Sequence, residues 1–174
     1  YLDVFQLFWL GRTSAWTPST IDALVSLRES GMVRAIGVSI HDRKRAGKLA
    51  EDSPLDMLMI RYNAAHTGAE RDIFPHLAKR KPAIVAYTAT RWCGLLKRPK
   101  GWKGPVMTAA DCYRFCLSNP HVDLVLTGPK NHQQLQENLR NLREKGPLSE
   151  EEKHWISDFG QVVHKASSRF TFRF

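Results

Sequence analysis

A parallel α/β architecture is predicted by three features of this 174-residue chain. Short apolar runs rich in β-branched and aromatic residues alternate five times with segments of helical period. Each crossover is long enough to hold a helix, which parallel strands require and hairpins do not. The residues that directly follow the apolar runs are polar, aromatic or basic, and parallel α/β folds place their ligands at those carboxyl ends.

Residues 1–10 begin the alternation and end in Leu7, Phe8, Trp9 and Leu10, which reads as a buried strand. After a loop over 11–16, Thr17 and Pro18 have the types of an N-cap and a first helical residue. Ile21, Leu24, Val25 and Arg28 follow at helical spacing, and Gly31 stops the helix. Residues 32–39 read as the second strand, 42–51 as a basic helix and 56–62 as the third strand. A helix over 70–81 is broken by Pro75 or begins around it. Residues 83–87 form the fourth strand, 88–105 a Gly- and Pro-rich loop, 108–117 a helix and 122–126 a fifth, buried strand. The next helix carries Leu135, Leu139 and Leu142 as its buried stripe. Ser149 and Glu152 are spaced as a capping box for a last helix with Trp155, Ile156, Phe159, Val162 and Val163 inward.

Hydrophobic content of 43% is ordinary for a globular chain, so one domain with a sizeable core is expected. The net charge of +9 directs attention to acidic partners. No apolar run approaches a membrane span, and no membrane partner is expected. Three cysteines without a Cys-x-x-Cys pair suit a reducing compartment, so a cytoplasmic location is expected, with Cys112 and Cys116 as core thiols. His41, Asp42, His66 and Glu70 have the types of metal ligands but include no His-x-His pair, so no metal site is expected. A basic aromatic tail over 165–174 is separated from the domain at 1–164; nucleic acid is not the expected partner.

The stretch 124–139 carries the clearest ligand signal. An apolar run passes through Gly128 and Pro129 to Lys130 and a helix start, where free backbone N–H groups and a partial positive charge suit a phosphate. Gln134, Glu137 and Asn138 stand on the first turns of that helix. An ordinary strand–turn–helix connection with a solvated polar face fits these residues as well. The loop over 91–103 adds Arg91, Lys97, Arg98, Lys100 and Lys103 without an acid among them.

The ends of the predicted strands resemble the aldo-keto reductase family, in order and over most of the chain. Residues 1–9, Tyr-Leu-Asp-Val-Phe-Gln-Leu-Phe-Trp, look like its fourth barrel strand. Residues 31–39, Gly-Met-Val-Arg-Ala-Ile-Gly-Val-Ser, are similar to its G-k-(I/V)-R-x-(I/L)-G-(V/I)-S segment. Residues 60–63 resemble the Y-N ending of the sixth strand, and 85–88 with 94–96 resemble (I/V)-A-Y-(S/T)…G-x-L. Residues 124–139 resemble the cofactor loop and helix, and 146–150 the entry to the final helix.

The resemblance implies the C-terminal five-strand part of a TIM (β/α)8 barrel, with a longer reductase, a missing N-terminal half-barrel or an oligomer partner completing the sheet. It implies NADP(H), with NAD(H) as the alternative, and hydride transfer to an aldehyde or ketone as the small-molecule substrate. Ser39 falls where the family holds the carboxamide, and Tyr87 where a ring stacks on the nicotinamide. Thr88 and Arg91 fall at the pyrophosphate, Gly128, Pro129, Lys130 and Gln134 along the 2′-phosphate region, and Glu137 and Asn138 at the adenine amine. The family's catalytic Asp, Tyr and Lys lie on strands with no counterpart here, and Phe8 holds the histidine position, so no catalytic residue is assigned and the chain alone is expected to be inactive. Ile40, Met59 and Gly128 also depart from the pattern. A non-catalytic nucleotide-binding or scaffold relative is the alternative that these departures favour.

Overall fold

The computed structural model describes residues 1–168, the side chains of the last two excepted. Five strands alternate with helices: β1 (Leu2–Leu10), α1 (Pro18–Glu29), β2 (Val33–Ile40), α2 (Arg43–Asp52), β3 (Met57–Arg61), α3 (Ala69–Asp72), β4 (Ala83–Tyr87), α4 (Ala109–Leu117), β5 (Leu124–Val125), α5 (His132–Lys145) and α6 (Glu150–Ser168). The strands follow one another in chain order in one five-stranded sheet. Residue contacts divide the chain into two compact units. Tyr1–Arg61 with Gly68–Val85 make the first; Tyr62–Thr67 with the residues from Ala86 onward make the second.

In the first unit β2 is the central strand. It pairs in parallel with β1 from Leu2↔Val33 to Leu7↔Val38, and with β3 from Gly37↔Met57 to Ile40↔Ile60. Flanked on both sides, Ile36, Val38 and Ile40 are buried, and Leu58 and Ile60 of β3 join them. Local signals set the helices. The Thr17 hydroxyl accepts from the Thr20 amide ahead of Pro18, and the Asp42 carboxylate accepts from the Arg45 amide at the start of α2. Asp56 ties the layers together. Its carboxylate accepts from the Ile36 amide and the Arg28 guanidinium, and its carbonyl accepts from the Ala83 amide.

Two expectations are corrected in this unit. The first strand, read as buried, is largely exposed, with Leu2, Val4 and Phe8 open to solvent. β1 has a paired neighbour on one side only, and apolarity in the sequence does not separate an edge strand from a central one. The expected helix over 70–81 is only the single turn α3 and a 3₁₀ turn at Phe74–His76. Pro75 has no N–H to continue the α-helical ladder.

In the second unit the amide of Leu126 donates to the Ala86 carbonyl, which carries β5 alongside the end of β4. β5 is shorter than expected, and Leu124 and Leu126 are exposed rather than buried. α4 begins with a capping box in which Thr108 and Asp111 satisfy each other's backbone. The box predicted at Ser149 and Glu152 is present at the start of α6. Ile156, Phe159 and Val163 of α6 are buried, with Trp155 and Val162 half-buried. The stripe of α5 is weaker than expected: Leu135 and Leu142 are half-buried and Leu139 is exposed. Cys112 and Cys116 are buried, and burial pushes the Cys116 thiol up to about 12, so it remains a protonated donor to the Tyr62 carbonyl.

α6 runs through Ser168. Residues 169–174 of the expected tail lie outside the described residues. Among the described residues no helix is long and apolar enough to cross a membrane.

Candidate functional site

The loop that follows β4 is held by a buried amide. Asn63 is inaccessible to solvent; its Nδ2 donates to the Thr88 carbonyl at 2.9 Å and its Oδ1 accepts from the Ala65 amide at 3.1 Å. Thr88 itself has φ 56°, and its hydroxyl donates to the Tyr87 carbonyl at 2.7 Å. Arg91, Trp92 and Cys93 follow in succession with φ of 51°, 50° and 63°. L side chains rarely adopt this region, and such strain concentrates at ligand sites. Here the loop's own bonds hold it: Arg91 N–H donates to Thr88 O, Cys93 N–H to Thr90 Oγ1 and Leu95 N–H to Thr90 O.

Beside this loop lies a cavity of about 690 Å³, built wholly within the second unit. One wall is the strained loop, with Thr88, Thr90, Trp92 and Cys93. A second is α4, where Tyr113 faces the cavity. The third is the turn and helix after β5: Thr127, Gly128, Pro129 and Lys130, then Gln134, Glu137, Asn138 and Asn141. The side chain of Asn131 caps α5 by accepting from the Gln134 amide at 2.9 Å, and Gln134 Oε1 accepts from the Lys130 amide at 2.8 Å. These two bonds fix the turn so that a helix start and an ammonium group stand at the same cavity. Thr127 Oγ1 donates to the Tyr113 hydroxyl at 2.9 Å. Burial keeps Tyr113 above its ordinary pKa, so the phenol remains a neutral donor.

Seven of the ten residues singled out in the sequence line this cavity: Thr88, Gly128, Pro129, Lys130, Gln134, Glu137 and Asn138. Tyr87 is not in its lining, and Arg91 lines a separate, smaller cavity. Ser39 belongs to the first unit, where it is buried and its Oγ accepts from the Trp9 amide at 2.7 Å. Thr90, Cys93, Tyr113 and Asn141 line the cavity without having been singled out as site residues. Thr90 had a readable signal, since it follows the fourth strand, and so did Asn141, which continues the helical face of Gln134, Glu137 and Asn138.

The departures noted at Phe8, Ile40 and Met59 have definite surroundings in the first unit. Phe8 is 63% exposed, and its carbonyl accepts from the Ser14 hydroxyl. Trp9 has φ 46° at the point where the β1–β2 register shifts, and its ring lies 4.9 Å from that of His41. Burial, then the nearby Arg61 and Arg12, hold the His41 pKa below its ordinary value. Ile40 is buried, and Met59 Sδ accepts from Gln6 Nε2 at 3.5 Å. Of the residues weighed as metal ligands, Asp42 caps α2 and His66 Nδ1 lies 3.1 Å from Asn63 Oδ1. Among the described residues no group of three or more His, Cys, Asp or Glu is gathered for a metal ion.

No curated protein matches the chain. Among solved structures, the aldo-keto reductase AKR11C1 from Bacillus halodurans, in apo and holo forms, superposes with a TM-score of 0.72 at 20% identity over 91% of this chain. The glycerol dehydrogenase AKR11B4 from Gluconobacter oxydans superposes with a TM-score of 0.68 at 20% identity over 90% of this chain. The chain spans only 62% of the length of the first protein and 57% of that of the last. At such identity the superpositions show a shared fold, that of the matching part of a parallel β/α barrel. The model of the Aldo/keto reductase family matches residues 1–109, well over half of the sequence, and the chain belongs to that family.

Proposed function

We propose that this chain supplies the cofactor-holding half of an NADP(H)-dependent oxidoreductase that transfers hydride to an aldehyde or ketone. The observation that carries this reading is the cavity of about 690 Å³, where one turn, one helix and one loop bring together the groups a dinucleotide requires. Lys130 and the start of α5 suit phosphate, Glu137 and Asn138 suit the edge of an adenine, and the Thr88 and Thr90 hydroxyls with the Trp92 ring suit the remainder. The donor set therefore fits the adenosine-phosphate portion. When bound, the cofactor supplies the hydride; the residues of this chain bind and orient it. The proton for the carbonyl oxygen is assigned to no residue here.

A second reading, a non-catalytic nucleotide-binding relative, is favoured by the first unit. Ser39 Oγ already accepts from the Trp9 amide, and apolar Ile40 and thioether Met59 stand where the family resemblance expects amides. Titration of the chain with NADPH and NADH, followed by tryptophan fluorescence, tests what the two readings share. Saturable quenching is expected, tighter for NADPH; the absence of saturation with either would overturn both. Oxidation of NADPH by an aldehyde panel, in a protein that also carries the remaining strands, separates enzyme from non-catalytic binder.

A further inference from the structure

The loop over 88–105 has a second face. Arg91, Gly94, Lys97 and Arg98, with Val163 and Ala166 of α6, line a cavity of about 230 Å³ that is separate from the larger one and also lies wholly in the second unit. Three cationic residues border it: Arg91 is half-buried, and Lys97 and Arg98 are exposed. Among the described residues none of the three is in an ion pair, and Arg91 Nε is buried with no hydrogen-bond acceptor. Arg98 spends Nη1 on the carbonyls of Trp102 and Gly104, at 3.1 and 2.7 Å, which anchors its head without neutralising it. Gly94 makes room for Arg91: a Cβ there would come within 2.6 Å of Arg91 Nη1. A guanidinium held against a glycine, part-desolvated and without a carboxylate, is an anion receptor by chemistry. Val163 and Ala166 of α6 border the same groove.

We propose that Arg91, Lys97 and Arg98 form an accessory site for a small phosphate-class anion, distinct from the cavity that holds Lys130. The inference reassigns Arg91, which the family resemblance alone would put on the dinucleotide pyrophosphate, to a different ligand. The ligand's source is either free phosphate or the phosphate of a small metabolite; a cavity of about 230 Å³ has no room for a whole dinucleotide.

Inorganic phosphate titrated into the 174-residue chain at constant ionic strength, read by thermal unfolding and calorimetry, tests the site. Saturable binding is expected, weakened about tenfold or more in Arg91→Gln and in Lys97→Gln, since each removes a charge-assisted contact, and retained in Lys130→Gln. Gly94→Ala should weaken it too, by displacing the Arg91 head while leaving every charge in place. Circular dichroism confirms that each variant is folded. A sugar phosphate run beside inorganic phosphate distinguishes the two sources: tighter binding of the ester assigns the site to a metabolite, and equal binding to the free ion. If phosphate binding is instead lost in Lys130→Gln and kept in Arg91→Gln, or if chloride has the same effect, the accessory site does not exist. NADPH titration of the same variants keeps the two proposals apart. Affinity unchanged in Arg91→Gln supports the reassignment, and affinity lost together with phosphate binding returns Arg91 to the dinucleotide.

Discussion

Arg114 and Glu152 meet through two hydrogen bonds of 2.7 and 2.8 Å, a bidentate pair joining α4 to the start of α6. The Arg114 side chain is 3% exposed, and its remaining donors reach the Gly146 and Pro147 carbonyls and the Asp111 carboxylate. One guanidinium thus satisfies the end of α5, the turn after it and the cap of α6. Arg114→Ala strands a carboxylate and several carbonyls and should cost about 3–5 kcal/mol. Glu152→Gln keeps the shape and loses the charge, so about 1–2 kcal/mol is expected. Urea unfolding of the variants measures both, and an unchanged stability in Glu152→Gln would show that charge is not what matters at this junction.

The same cluster sets an acid limit. Arg114 and then the Ser149 amide hold Glu152 below the usual carboxylate range. For Asp111 burial pushes upward, but hydrogen bonds from Thr108 and Lys145 outweigh it and the net direction is down. A carboxylate whose folded pKa is depressed adds stability that is complete above its unfolded-chain pKa and disappears as pH falls through the folded value. Unfolding free energy should therefore decline from about pH 4 downward. In Glu152→Gln that decline should be shallower; an unchanged slope would remove Glu152 from the account.

Asn63 holds the loop that forms one wall of the cavity. Its amide serves the Thr88 carbonyl and the Ala65 amide at once, in a place water does not reach. Asn63→Ala leaves both unsatisfied and should cost about 2 kcal/mol. Because Thr88 sits at φ 56° on the cavity wall, NADPH affinity should fall beyond what the loss of folded protein explains. Fluorescence titration well below the variant's melting temperature separates the two effects.

What the sequence made legible was local. Thr17 with Pro18, Asp42, Thr108 and Ser149 each announce a helix start, because capping needs only a side chain and the next few amides. The turn at Gly128–Lys130 and the helical face of Gln134, Glu137 and Asn138 announced one wall of the cavity for the same reason. Tertiary relations were illegible. Tyr113 enters the cavity because α4 packs beside the turn after β5, and no spacing within α4 encodes that. The exposure of Phe8, and the coupling of Ser39 to Trp9 across two strands, depend on sheet order rather than composition.

Gly160 is a case where helix propensity misleads. It lies inside α6, where alanine is favoured by about 1 kcal/mol on intrinsic grounds. A Cβ at this position would land on the Ala64 carbonyl oxygen, backbone that no rotamer change removes. Gly160→Ala should therefore destabilise, by about 1–3 kcal/mol net. Thermal unfolding gives the sign, and a rise in melting temperature would mean that α6 does not approach Ala64 this closely.

Trp92 offers the sharpest optical test of the cavity. It lines the cavity on the loop rather than on the turn that carries Lys130, is 69% exposed and is held at φ 50°, so its ring is open to a base or ring that enters. Trp102 and Trp155 instead pack their rings toward Phe159, with Trp102 Nε1 donating to the Pro105 carbonyl at 2.8 Å. Most of the fluorescence change on adding NADPH should thus come from Trp92. In Trp92→Phe the change should largely vanish. Calorimetric affinity should weaken only modestly, because phenylalanine keeps a stacking face; the loss expected for Trp92→Ala is about 1–3 kcal/mol. Full quenching in Trp92→Phe would place the nucleotide away from this loop and overturn the assignment of the cavity.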